Sequence, residues 1–164
     1  MVSPSVAYPT VQMLKPALEE QRTSLLTQGW WFNTHSNRTL QPNTIGQVAV
    51  PADALVVIPK TETFIWNGAY IARADGSAPN SEVVVDLIVD MPFESLPLTA
   101  RYTIAYAAAF TIYVGDFGND NTAQVLQQQA GAYFQNITAQ HVRTRKYSLR
   151  HRPSYQTYLA SLRQ

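Results

Sequence analysis

Cysteine is missing from all 164 residues, which excludes structural disulfides, thiolate metal sites, cysteine nucleophiles and iron–sulfur clusters. Charge is the second scarcity: Asp, Glu, Lys and Arg make up 14% of the chain against roughly 25% in an average soluble domain. The polar surface must therefore be built from Gln, Asn, Ser, Thr and Tyr. Depletion of charge beside aromatic enrichment marks the cores of interfaces, so the composition points to obligate assembly. No apolar run approaches the roughly 20 residues that span a bilayer. Met1 to Thr10 lacks a basic start followed by an apolar core, and the expectation is a soluble protein that is not exported.

What is present is enough for one domain, or a domain with a small appendage. Hydrophobic residues make up 46%, which excludes disorder, and a compact chain of this length buries roughly 70% of its unfolded surface. The formal net charge is only +1, yet its distribution is uneven. Every acidic residue lies at or before Asp120, whereas Arg143, Arg145, Lys146, Arg150, Arg152 and Arg163 crowd the end.

Pro4 and Pro9 make residues 1–15 an extended lead-in. Pro16 suits a first helical turn, the apolar Ala17, Leu18, Leu25 and Leu26 follow, and Gly29 offers a left-handed stop, so a helix is expected over about 16–28. From there to about residue 90 the texture is that of strands. The candidates are Trp30 to Thr34, Val48 to Val50, Leu55 to Ile58, Thr63 to Trp66, Tyr70 to Arg73 and Val83 to Val89, the last apolar enough for a central strand. Asn67-Gly68 is the strongest hairpin signal, with positive φ expected at both positions, and Asp75-Gly76 starts a longer loop. Pro92 and Pro97 bracket a short segment before an Ala- and aromatic-rich helix over about 99–114, broken between Gly115 and Gly118. Asn121, with Gln124 at the reciprocal position, is expected to cap a helix running to about 145, on which Leu126, Ala130, Tyr133 and Ile137 share a face. Tyr155, Tyr158, Leu159 and Leu162 then fall at i, i+3, i+4 and i+7 in residues 148–164, read as a C-terminal docking arm. The order predicts an α+β fold: a helical bundle layer, an inserted and mainly antiparallel β domain over about 30–90, and an extended C-terminal arm, with 16–147 as the folded domain.

Catalytic signatures are sparse. His35, His141 and His151 are scattered without a second ligand at helical metal spacing, so neither a metal nor a cofactor is expected. There is no nucleophile elbow, phosphate loop or dinucleotide fingerprint. Asp86 and Asp90, four apart on a strand, are too far separated for an acid–base pair and read as solvated strand residues. Asp116 to Asn121 departs from a calcium loop at its sixth and twelfth positions, and capping explains it better. The triplets at Asn37 and Asn136 match glycosylation acceptors, but no export signal accompanies them. The basic cluster from Arg143 to Arg152, interleaved with Tyr147 and His151, could contact nucleic-acid phosphates and stack on bases. Against an extended nucleic-acid face, residues 1–120 carry six basic and eleven acidic side chains.

Two blocks carry a family likeness. Gln28-Gly29-Trp30-Trp31-Phe32-Asn33, then Leu40-Gln41-Pro42, Ile45 with Val50-Pro51, and Phe64-Ile65-Trp66-Asn67-Gly68-Ala69-Tyr70 form the first. The second is Pro92-Phe93-Glu94-Ser95-Leu96-Pro97, followed by Ala100-Arg101-Tyr102, Ile104 and a helix ending at Val114-Gly115. In order and spacing the two resemble the tail tubular protein A family, the head-to-tail adaptors of short-tailed bacteriophages. The likeness runs from about Leu18 to Tyr147 and departs at the N-terminus, where family members usually carry another helix. It implies a non-enzymatic ring subunit of the virion neck, in twelve copies and assembled in the host cytoplasm. The ring would sit between the portal protein and the tail nozzle protein and pass DNA through a channel without sequence specificity. Arg143, Arg145, Lys146, Arg150, Arg152, Tyr155, Tyr158, Leu159 and Leu162 are the expected docking residues toward the portal or a neighbour. Trp30, Trp31, Phe32, Pro92, Phe93, Leu96 and Pro97 are the expected structural junction between helical and strand layers. Nucleic-acid binding through the basic segment is the main alternative, and a hydrolase the third.

Overall fold

The computed structural model describes residues 9–149, with helices α1 (Pro9–Leu26), α2 (Leu98–Phe117) and α3 (Asn121–Leu149). Six strands lie between α1 and α2: β1 (Thr34–Leu40), β2 (Val48–Ala49), β3 (Ala54–Pro59), β4 (Phe64–Trp66), β5 (Tyr70–Arg73) and β6 (Val83–Val89). The expected α+β class holds. The chain divides into two compact units, a β unit from Thr23 to Ser95 and a helical unit made of the residues on either side. The last turn of α1 thus belongs to the β unit.

The β unit contains two antiparallel three-stranded sheets, ordered β1-β6-β3 and β2-β5-β4. β6 is central because its sequence serves both faces. Val83, Val85 and Leu87 point into a core shared with Val48, Val57 and Ile71, while Val84 faces outward. β1 is polar except for Leu40 at its end, and the expected strand at Trp30 to Thr34 does not form; those residues make a turn and pairing starts at Thr34. What recruits β1 is its register on β6 rather than burial. A bulge between His35 and Arg38 leaves Asn37 at φ 56°, and its N–H donates to Asp86 Oδ1 at 2.9 Å. Asp86 Oδ2 also meets Lys60 Nζ, so this residue is a half-buried, paired group rather than a solvated one.

The β4–β5 hairpin forms at Asn67-Gly68, with a different division of labour. Gly68 has φ 101° and Asn67 does not enter the left-handed region. Asn67 Oδ1 accepts from the Tyr70 N–H at 2.9 Å, and the Asn67 N–H donates to the Tyr70 carbonyl at 3.1 Å.

In the helical unit, Ala100, Ile104 and Ala108 form a buried stripe on α2, and Ala123 and Ile137 are buried on α3. Residues at i, i+4 and i+8 share one helix face, here the face α2 turns toward α3. Tyr106 and Tyr133 stack at 5.6 Å with an 11° tilt, and Tyr102 closes on Tyr133 at 5.0 Å.

Three helix boundaries differ from expectation. α1 begins at Pro9, which takes the first-turn place read for Pro16, so 9–15 is helical rather than extended. Pro16 lies inside the helix, where its missing N–H leaves the carbonyl four residues earlier without its helical donor. α2 continues through Gly115 and stops at Gly118, whose N–H donates to the Val114 carbonyl. The cap of α3 is Asp120 and not Asn121: Asp120 Oδ1 accepts from the Ala123 N–H at 3.0 Å. That bond and the Tyr113 hydroxyl at 2.9 Å hold the Asp120 carboxyl below its usual range.

Candidate functional site

The segment Gly29–Asn33 is the most densely tied part of the β unit. Gly29 follows α1 at φ +74°, and a Cβ there would stand 2.7 Å from Ile88 Cδ1, so backbone conformation and close approach both demand glycine. The chain then turns tightly, and the fully buried Asn33 side chain holds the turn shut. Its Oδ1 accepts from the Trp30 N–H at 2.8 Å. Its Nδ2 donates to the Leu26 carbonyl at 2.9 Å, an end group of α1, and to the Val89 carbonyl at 3.1 Å. Buried Trp30 donates its indole N–H to the Leu25 carbonyl at 2.7 Å. Two side chains thus add a second donor to two carbonyls at the end of α1, which also accept from the Gln28 and Gly29 N–H groups.

Of the expected junction residues, Trp30 is buried, while Trp31 and Phe32 are half-buried and meet edge-to-face at 5.1 Å. In the β unit Pro92 is exposed and Phe93, half-buried, opens a single 3-10 turn (Phe93–Ser95). In the helical unit Leu96 is buried and Pro97 stands at the N-cap of α2. Asn33 is the residue that sequence reasoning passed over. It stood inside the Gly-Trp-Trp-Phe-Asn block, but nothing in periodicity marks a buried amide.

Of the expected docking residues, Arg143 and Arg145 are exposed on α3, and the backbone of Lys146 continues that helix. Arg150, Arg152, Tyr155, Tyr158, Leu159 and Leu162 lie outside the described residues. α3 carries no acidic residue at all. Burial, followed by the Arg145 charge, holds His141 below the usual histidine range. Along the same helix Phe134, Gln135, Thr138, Ala139, Val142 and Arg143 line a groove of about 520 Å³. The expected helical stripe ended at Ile137, and this second face was hidden behind it.

Among the described residues no group of three His, Asp or Glu is placed to hold a metal ion, and no helix is long and apolar enough to cross a membrane. The exposed apolar side chains are the surface feature that stands out. Ile45 in the β unit and Leu98, Phe117 and Val125 in the helical unit are each more than half exposed.

The family model for Tube, tail tubular protein, matches residues 4–147, which takes in both units and reaches beyond Leu18 into the N-terminal residues. The chain is 26% identical to tail tubular protein A of Klebsiella phage KP34 over 144 residues, covering 85% of this chain and 77% of that protein. With the match running through the Gly-Trp block, the β unit and both long helices, the chain belongs to the tail tubular protein family, the structural proteins of bacteriophage tails.

Proposed function

We propose that this protein is a ring subunit of the phage neck, joining the portal protein to the tail nozzle protein and forming part of the channel through which DNA passes. Family membership over residues 4–147 is the observation that carries the reading. Chain chemistry supports it. A ring requires each subunit to offer two different, complementary patches, a heterologous contact that closes by rotation. Sparse charge and exposed Ile45, Leu98, Phe117 and Val125 suit such contacts. The charges are also segregated: residues 23–95 hold seven acidic and three basic side chains, while 143–164 hold six basic and none acidic.

In this reading twelve copies close the ring, and the basic segment from Arg143 onward is the docking arm. Arg143, Arg145, Lys146, Arg150 and Arg152 pair with portal carboxylates, and Tyr155, Tyr158, Leu159 and Leu162 bury against the partner. The Trp30–Phe32 and Pro92–Pro97 segments are structural elements in this reading rather than docking ones. The protein performs no catalysis, assembles onto the capsid in the host cytoplasm and contacts DNA without sequence preference.

Sedimentation of the purified protein with the portal of its own phage tests this. The expected result is a discrete complex of ring mass, lost on deletion of residues 153–164. A protein that stays apart from the portal but binds duplex DNA with a steep salt dependence would overturn the reading in favour of nucleic-acid binding.

A further inference from the structure

α3 has two opposite faces, and α2 takes one of them. Ala123, Leu126, Ala130, Tyr133 and Ile137 turn inward, each buried or half-buried. On the far side Val125, Gln128, Ala132, Gln135, Ala139 and Val142 are all exposed, Val125 at 54% and Val142 at 43%. Their steps alternate between three and four residues, the spacing of a seam along which a second helix lies. Gln135, Ala139 and Val142 also line the groove described above, so the C-terminal half of the seam is already concave.

This seam complements itself. An antiparallel copy centred between Tyr133 and Phe134 sets Val125 against Val142 of the second copy, Gln128 against Ala139, and Ala132 against Gln135. In each inner layer a long side chain meets a short one, and valine closes both ends, so the two helices can approach closely over about 26 Å. Charge selects the same direction. The α2–α3 junction, Asp116 to Asp120, holds two acids and no base, while exposed Arg143 and Arg145 stand at the far end of a helix that has no acid. An antiparallel copy brings Asp120 level with the basic end of the other chain, and the two helix dipoles oppose. A parallel copy would set Arg143 and Arg145 beside their own equivalents.

We propose that two unassembled copies of this chain pair through this seam, antiparallel and related by a two-fold axis. Six seam residues on each chain fall far short of the roughly 20–30 a side of a standard interface. Four of the six are Gln or Ala, so the pair is reversible rather than permanent. A ring with a single rotation axis contains no such two-fold contact. The pair therefore belongs to the protein before assembly and keeps this face of α3 covered until then. That placing rests on the ring reading above, while the pair itself does not.

The lack of cysteine makes the test clean, because introduced thiols are the only ones. The single variants Val125→Cys and Val142→Cys are mixed in the full chain under mild oxidation. The mixture is expected to form disulfide-linked dimers, and either variant alone at least tenfold fewer, because in an antiparallel pair like positions lie about 26 Å apart. The double variant is expected to close as dimers joined by two bonds. In sedimentation velocity over a dilution series the natural chain should pass from dimer to monomer. Ala139→Glu, at an exposed position, should stay monomeric with an unchanged melting temperature in dilute solution. Single variants that cross-link as readily alone as mixed, no bond in the mixture, or a ladder of longer chains from the double variant would each overturn the pair. So would a natural chain that is monomeric throughout, or an Ala139→Glu variant that dimerises as the natural chain does. If the locked pair joins the portal as readily as the reduced protein, its place before assembly is wrong. If neither form joins the portal while the cross-link still forms, the ring reading fails and the pair stands.

Discussion

Asn33 and Val89 are joined twice. The Val89 N–H donates to the Asn33 carbonyl at 2.9 Å, and the Asn33 side chain donates back to the Val89 carbonyl at 3.1 Å. The end of β6 is thereby fixed to the turn that follows α1, in a place without solvent access to Asn33. A buried amide is costly unless all its groups are met, and here both donor hydrogens and the acceptor are used.

Removing that amide should be severe. Asn33→Leu leaves the Trp30 N–H without its acceptor and takes a donor from the Val89 carbonyl, at about 1–3 kcal/mol for each group left unsatisfied, while the Leu26 carbonyl keeps the Gly29 N–H. The expected loss of unfolding free energy is about 3 kcal/mol or more, read by denaturant titration. Asn33→Asp faces two carbonyls with an anion, which raises its folded carboxyl pKa. Its deficit should therefore shrink as pH falls through the carboxylate range. A deficit that grows with acidification would refute the geometry.

Gly29 and Ile88 should be coupled. Gly29→Ala places a methyl at φ +74° and 2.7 Å from Ile88 Cδ1, strain of about 1–3 kcal/mol before any clash. Ile88→Val removes the offending Cδ1, so the double variant should be more stable than the sum of the two single losses implies, by about 0.5 kcal/mol or more. Strict additivity in a double-mutant cycle would contradict the close approach.

The two tryptophans should separate. Trp30 is buried with its indole N–H bonded, and Trp30→Ala should cost about 3–5 kcal/mol. Half-buried Trp31→Ala should cost about 1–3 kcal/mol, and its larger effect should appear in assembly with the portal. Melting temperatures of both variants beside portal sedimentation would show the reverse order if the assignment is wrong.

His141 should make stability fall with acid. Its folded pKa is held below the unfolded value of 6.5 by burial and by Arg145. The unfolded chain then binds the proton first, so the contribution is fully present above pH 6.5 and declines as pH falls toward the folded pKa. Melting temperature measured between pH 7.5 and 5 should drop less in His141→Gln than in the natural chain. An identical slope would remove His141 from the account.

Much of this fold was readable where a residue's local chemistry leaves one choice. The Val83–Val89 run, the Gly29 stop and the Asn67-Gly68 hairpin each formed where expected. The misses share a cause, in that a distant partner decides the outcome. β1 is a strand because β6 supplies its hydrogen bonds and Asp86 fills its bulge, although Thr34–Leu40 has no apolar alternation. Trp30 to Phe32 have strand-forming side chains, yet Asn33 bends them into a turn by bonding to residues as far away as Val89. The long-range ties of Asn33 left no period in the sequence, and the second face of α3, mostly Gln and Ala, became visible only with the chain folded.

The central claim, a ring joining portal to nozzle, is tested most directly by a cryo-EM reconstruction of the virion neck. The account predicts twelve copies of this chain in one closed layer between the two, with density for residues 153–164 running onto the portal. A neck layer built from another protein, with this chain elsewhere in the tail, would contradict it.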